Sequence, residues 1–98
     1  MPAAPARSKA ATALLPKFIG HRQRDATDIR SALDRGDYQT ISRLGHNMRG
    51  NGASYGFPDL GALGERLETA AHQRNEEEIR KQLAALEDWI TNVGSALT

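Results

Sequence analysis

The apolar residues at the C-terminal end, Ile79, Leu83, Leu86, Ile90, Val93 and Leu97, recur at intervals of four and three. That spacing keeps all six on one side of an α-helix, whereas a strand would scatter them over both faces. It predicts a helix over about 76–97 whose stripe must be buried against other helices. The same period recurs upstream. Phe18, Ile19, Ala26, Ile29 and Leu33 mark a helix over about 16–35. Ile41, Leu44, Met48, Gly52 and Tyr55 mark one over 38–55, and Leu60, Leu63, Leu67 and Ala70 one over 58–73. No stretch alternates convincingly with period two, and strand-favouring residues are sparse.

Punctuation between these segments agrees with the periodicity. Gly36 offers a helix stop and Asp37 an N-cap. Gly56 and Pro58 end the second segment, with Pro58 opening the third as Pro16 opens the first. "NEEE" at 75–78 has the outline of a capping box, with Asn75 as cap and Glu78 three residues on, and its acidic side chains suit a helix N-terminus better than acid–base work. "ATALL" before Pro16 reads either as a separate short helix or as the lead-in to the first. The Ala/Pro-rich opening "MPAAPARSKA" reads as a flexible tail or linker over 1–10. Residues 11–98 are expected to form one all-α domain, an antiparallel four-helix bundle, possible extra N-terminal helix included.

Composition narrows the function. Ninety-eight residues form one modest core. Without cysteine there is no disulfide, thiolate chemistry or cysteine-bound metal, and His21, His46 and His72 contain no H-x-x-x-H pair for a structural metal. No apolar run approaches the roughly 20 residues of a membrane span and no secretory leader is evident, so a cytoplasmic setting is expected. A net charge of +1 argues against general nucleic-acid binding. Residues 1–50 nevertheless carry nine Lys/Arg against four Asp/Glu, while 51–98 carry four against eight. A basic half suits an acidic partner.

The second segment poses a question. "LGHNMRGNGASYG", residues 44–56, places Gly45, Gly50 and Gly52 inside a helix, each at a cost of about 1 kcal/mol relative to alanine. On a helical wheel Gly52 faces the core and Gly45 borders it, where a missing side chain admits a neighbouring helix. His46, Arg49, Gly50 and Ala53 share the opposite, solvent-facing side. Gly50 has no packing reward there, and its use is clearance for another macromolecule or a phosphoryl group. An exposed neutral imidazole is a nucleophile at cytoplasmic pH, and Arg49 beside it would attract an anion and stabilise it once attached.

The stretch "LGHNMRGNGASYGFPDLGALGERLETAA", residues 44–71, resembles the signature of histidine-containing phosphotransfer domains, the four-helix modules of two-component phosphorelays. The matching positions are His46, Arg49, Gly50, Ala53, Gly56, Leu60, Leu63, Leu67 and Glu68, and "LDRGDYQTISRL" at 33–44 is similar to the family's lead-in. The resemblance extends over about 14–97. It implies that His46 accepts a phosphoryl group from a receiver domain's phospho-aspartate and passes it to another receiver, with Arg49 stabilising its charge. Arg49, Gly50 and Ala53, with Ser42 and Gln39 earlier on the helix, would form the docking surface. The implied partners are response-regulator receiver domains and a hybrid sensor histidine kinase. The chain would need no cofactor of its own, the divalent cation coming with the receiver, and would act as a monomer without an ATP site or kinase activity. Two positions depart from the family pattern: arginine stands at 49 for the usual lysine, and Asn51 where serine is commoner.

Elsewhere the residues read as structural. His21, among Lys17, Arg22 and Arg24, reads as a solvated side chain, and His72 suits a helix C-terminus. Tyr55 and Phe57 should pack around the Gly56 turn, and Trp89, beside the last helix's stripe, should be partly buried. Phe18, Tyr55, Phe57 and Trp89 are too scattered for a base-stacking platform. The alternative to a phosphocarrier is a helical interaction module in which His46 is incidental.

Overall fold

Three backbone positions with positive φ decide where the helices stop. Gly36 (φ 68°), Gly56 (φ 78°) and Arg74 (φ 52°) each follow a helix and close it with the same pair of hydrogen bonds. The Gly36 N–H donates to Leu33 O and Asp37 N–H to Ala32 O; Gly56 and Phe57 repeat this on Ala53 and Gly52, and Arg74 and Asn75 on Ala71 and Ala70. Arg74 reaches this left-handed conformation without glycine's freedom, a strain of about 1–2 kcal/mol. In this computed structural model, which describes residues 9–97, the helices so delimited are α1 (Lys9–Asp34), α2 (Tyr38–Ser54), α3 (Pro58–His72) and α4 (Glu76–Leu97). No strand occurs among the described residues.

Helix starts follow from side-chain chemistry. Asp37 accepts from the Thr40 N–H at 3.1 Å and from the Thr40 hydroxyl at 2.6 Å. These bonds hold its carboxyl below the usual aspartate range. Asn75 accepts from the Glu78 N–H at 3.1 Å. Only half of the expected capping box forms, because the Asn75 N–H is taken by Ala70 O and Glu78 accepts from Gln82 at 2.7 Å instead. Pro58 opens α3 as anticipated.

Every stripe residue with a described side chain faces inward. Ile29, Ile41, Met48, Leu60, Leu67, Ile79 and Leu86 are fully enclosed, and only Tyr55 and Val93 are half-buried at the margin. The bundle is all-α with four helices, as the periodicity required.

Between α2 and α3 the contact is backbone on backbone. A Cβ on Gly45 would fall 2.7 Å from Gly64 O, and one on Gly52 would fall 2.5 Å from the Gly61 N. Gly45 and Gly52 therefore admit the neighbouring helix, as their places on the wheel suggested. From the other side a Cβ on Gly64 would fall 2.6 Å from Gly45 O, while one on Gly61 would lie 3.3 Å from Arg49 O, a tight but looser approach.

Three expectations need correction. Pro16 is not in the first turn of a helix beginning near residue 16: α1 starts at Lys9 and Pro16 is inside it. "ATALL" is thus continuous with α1 and forms no separate helix; the lost proline N–H bond is tolerated where Leu15 next to it is buried in the core. Of the residues read as a tail, 1–8 lie outside the described residues, while Lys9 and Ala10 already belong to α1. Trp89 is buried rather than partly so, at 7% exposure, because Phe57 (5.1 Å between ring centres) and Phe18 (6.3 Å) meet its ring edge-on. The aromatic residues are scattered only in sequence: Phe18 also stacks on Tyr55 at 4.2 Å and Phe57 at 5.9 Å. Arg22, beside the exposed His21 in sequence, is buried.

Candidate functional site

The turn around Gly56 sets which residues of α2 and α3 stand opposite one another. Counted from Phe57, His46 lies as far before as Glu68 lies after, and Ser42 as far before as His72. Both pairs are joined: His46 Nδ1 to Glu68 Oε2 at 3.2 Å, and Ser42 Oγ to His72 Nε2 at 2.8 Å. The glycines between the helices bring the two backbones close enough for these short side chains to meet.

His46 projects into solvent, its side chain 67% exposed, while that of Glu68 is 22% exposed. A carboxylate only accepts, so in neutral His46 the proton sits on Nδ1 and donates to Glu68. Nε2 then carries the free lone pair on a largely exposed ring. The lone-pair nitrogen is thereby oriented by its neighbour, in the manner of ligating or catalytic histidines whose second nitrogen is fixed by a carboxylate.

Around it, Arg49, Gly50 and Ala53 are exposed, as is Gln39 about two helical turns earlier, and Ser42 is half-buried beneath its bond to His72. Among the described residues Arg49 has no ion-pair partner, so its guanidinium is available to an incoming anion. It borders a shallow cleft of about 360 Å³ with Ala53, Pro58, Gly61, Ala62 and Glu65. A Cβ added to Gly50 would meet nothing within 4 Å. Nothing inside the protein requires glycine there. Among the described residues no cluster of three or more His, Asp or Glu side chains could hold a metal ion.

The structure brings the sequence-derived residues His46, Arg49, Gly50 and Ala53 to one open surface, with Gln39 and Ser42 on the same helix. It adds Glu68, whose carboxylate stands on the imidazole although the sequence assigned it no role. Its distance from the turn, equal to that of His46, was the available signal. His21 is exposed. His72 ends α3 as expected and also bonds Ser42.

A four-helix bundle presenting a solvent-facing, carboxylate-oriented histidine beside a free arginine has the makings of a protein that carries a group on an imidazole. The family model of the Hpt domain matches residues 13–96, and the chain belongs to that family. Hpt domains serve phosphotransfer in two-component signalling, where they are phosphocarriers rather than kinases and interact with receiver domains and kinases of phosphorelays. Neither among curated proteins nor among solved structures is there a significant match. No helix among the described residues is long and apolar enough to cross a membrane.

Proposed function

We propose that His46 is the phosphoryl acceptor of this chain and relays the group between receiver domains, downstream of a hybrid sensor histidine kinase. The observation that carries the reading is the 3.2 Å contact of His46 Nδ1 with Glu68, which leaves Nε2 as the exposed nucleophile. The Nε2 lone pair attacks phosphorus of the receiver's acyl phosphate, an N–P bond forms, and the aspartate carboxylate leaves with the electrons of the broken O–P bond. The Nδ1 proton need not depart, because the imidazolium created is neutralised by Glu68 beside it. Arg49 stabilises the phosphoryl oxygens. The reverse steps deliver the group to a second receiver.

Gly50 and Ala53 keep the approach open, and Gln39 and Ser42 extend the docking face along α2. The divalent cation comes with the receiver, and the chain supplies no cofactor and no ATP site. The excess of basic residues over 1–50 suits a receiver's acidic pocket. The carrier works as a monomer in the cytoplasm.

Incubation with a phosphorylated receiver domain tests this, comparing the wild type with His46→Gln. Label should pass to the wild type only, in an acid-labile, alkali-stable form. A labelled His46→Gln variant, or a wild type that no receiver of a broad panel labels, refutes it and favours a plain interaction module.

A further inference from the structure

Arg22 is an unusual cation for a helix surface. Its side chain is 7% exposed, and the guanidinium lies 4.7 Å from the centre of the Phe18 ring. Removing a guanidinium from water is costly unless its N–H groups are matched. Here the match is incomplete. Nε lies 2.8 Å from Asp25 Oδ2, an ion-pair distance, yet neither Nε nor Nη1 has an acceptor in hydrogen-bonding alignment among the described residues; both are enclosed, so a ligand would meet this guanidinium through Nη2. Burial pushes the Asp25 carboxyl above its ordinary range, against the pull of the Arg22 charge beside it.

This arginine borders a cleft of about 480 Å³ between α1 and α2, lined also by Lys17, Phe18, His21, Asn51 and Tyr55. Every polar side chain of the lining can donate a hydrogen bond and none is acidic. Asn51, one of the two departures from the family pattern, thus faces α1. The cleft lies apart from the phosphoryl-acceptor site, since His46 meets α3 through Glu68 whereas Asn51 and Tyr55 look toward α1.

We infer that this cleft binds a small phosphate-bearing anion, held by Arg22, Lys17 and Asn51 with His21 at the rim. The terminal oxygens of a phosphate group can accept from donors arriving from two helices, and its charge answers the cations of the lining. The volume falls in the range of small-molecule sites, about 300–1,000 Å³, and exceeds what inorganic phosphate fills, leaving space beside the Tyr55 ring for an organic portion.

The test is an NMR titration of the isotope-labelled full chain with inorganic phosphate and, separately, with adenosine monophosphate, chloride holding the ionic strength constant. Saturable shifts of the Arg22 Nε–Hε and the Asn51 side-chain amide are expected with at least one probe. Lys17→Gln, an exposed substitution that spares the core, should weaken binding at least about fivefold, while His46→Gln leaves it unchanged. Tighter binding of the nucleotide assigns an organophosphate; equal affinity assigns the bare ion. Shifts that never saturate, that centre on His46 and Arg49, or that ignore Lys17→Gln overturn the site. Because the readout is binding, it succeeds or fails independently of phosphoryl transfer at His46.

Discussion

Gly45 and Gly64 face each other across α2 and α3 so closely that each excludes a side chain on the other. A Cβ on Gly64 would lie 2.6 Å from the Gly45 carbonyl oxygen, and one on Gly45 would lie 2.7 Å from that of Gly64. Backbone cannot swing aside as a flexible side chain does. Gly64→Ala should therefore destabilise the bundle by about 1–3 kcal/mol, read as a lower midpoint in urea. Pushing the helices apart also lengthens the His46–Glu68 contact, so phosphoryl transfer should slow in the molecules that stay folded.

Gly50 makes the opposite case. With nothing within 4 Å of its would-be Cβ, Gly50→Ala should raise stability by about 0.5–1 kcal/mol through helix propensity. If the missing side chain serves partner approach, the same variant transfers phosphoryl groups more slowly, through a weaker encounter with the receiver. A variant both more stable and equally fast would leave Gly50 without that role.

Glu68 fixes the His46 tautomer, and nitrogen NMR reads that directly. The wild type should show the proton on Nδ1, and Glu68→Ala should redistribute it toward Nε2. Losing a hydrogen bond to a charged group, worth about 1.5–3 kcal/mol, should cost roughly 10- to 100-fold in transfer rate. Glu68→Gln, which can still accept, should recover part of both.

Asp37 gives the start of α2 a dependence on pH. Its folded-state pKa is lowered, chiefly by the bond from the Thr40 hydroxyl and then by the bond from the Thr40 N–H. A lowered carboxyl contributes stability above its unfolded pKa and loses it as pH falls through the folded value. Asp37→Ala should melt below the wild type at neutral pH, and the gap should narrow as pH drops below about 4. A gap that stays constant down to pH 2 would show that the charge plays no part in the cap.

What the sequence made legible was whatever repeats along one helix. The stripes of α2 and α4 follow from the 3.6 period, and so did the outward direction of His46, Arg49 and Ala53. Relations between helices were not encoded in that way. Gly61 and Gly64 break up α3 without explanation until Gly45 and Gly52 stand opposite them. Arg22, with His21 and Arg24 close in sequence, carries the signature of a wet surface, and only Phe18, Asp25 and α2 around it reveal the burial. Trp89 lies off its own stripe and is enclosed by rings from α1 and the turn before α3. Pro16 announced a helix start because a proline costs least there, yet α1 runs through it.

The glycine contact between α2 and α3 also separates two quantities that natural variation would otherwise tie together. A spacing set by main chain does not drift when neighbouring side chains are exchanged, so the distance from imidazole to carboxylate is inherited with the four glycines. The outer faces of α1 and α4 can then change residue by residue without retuning the imidazole. Lineages descending from such a chain are free to exchange partners while keeping their chemistry.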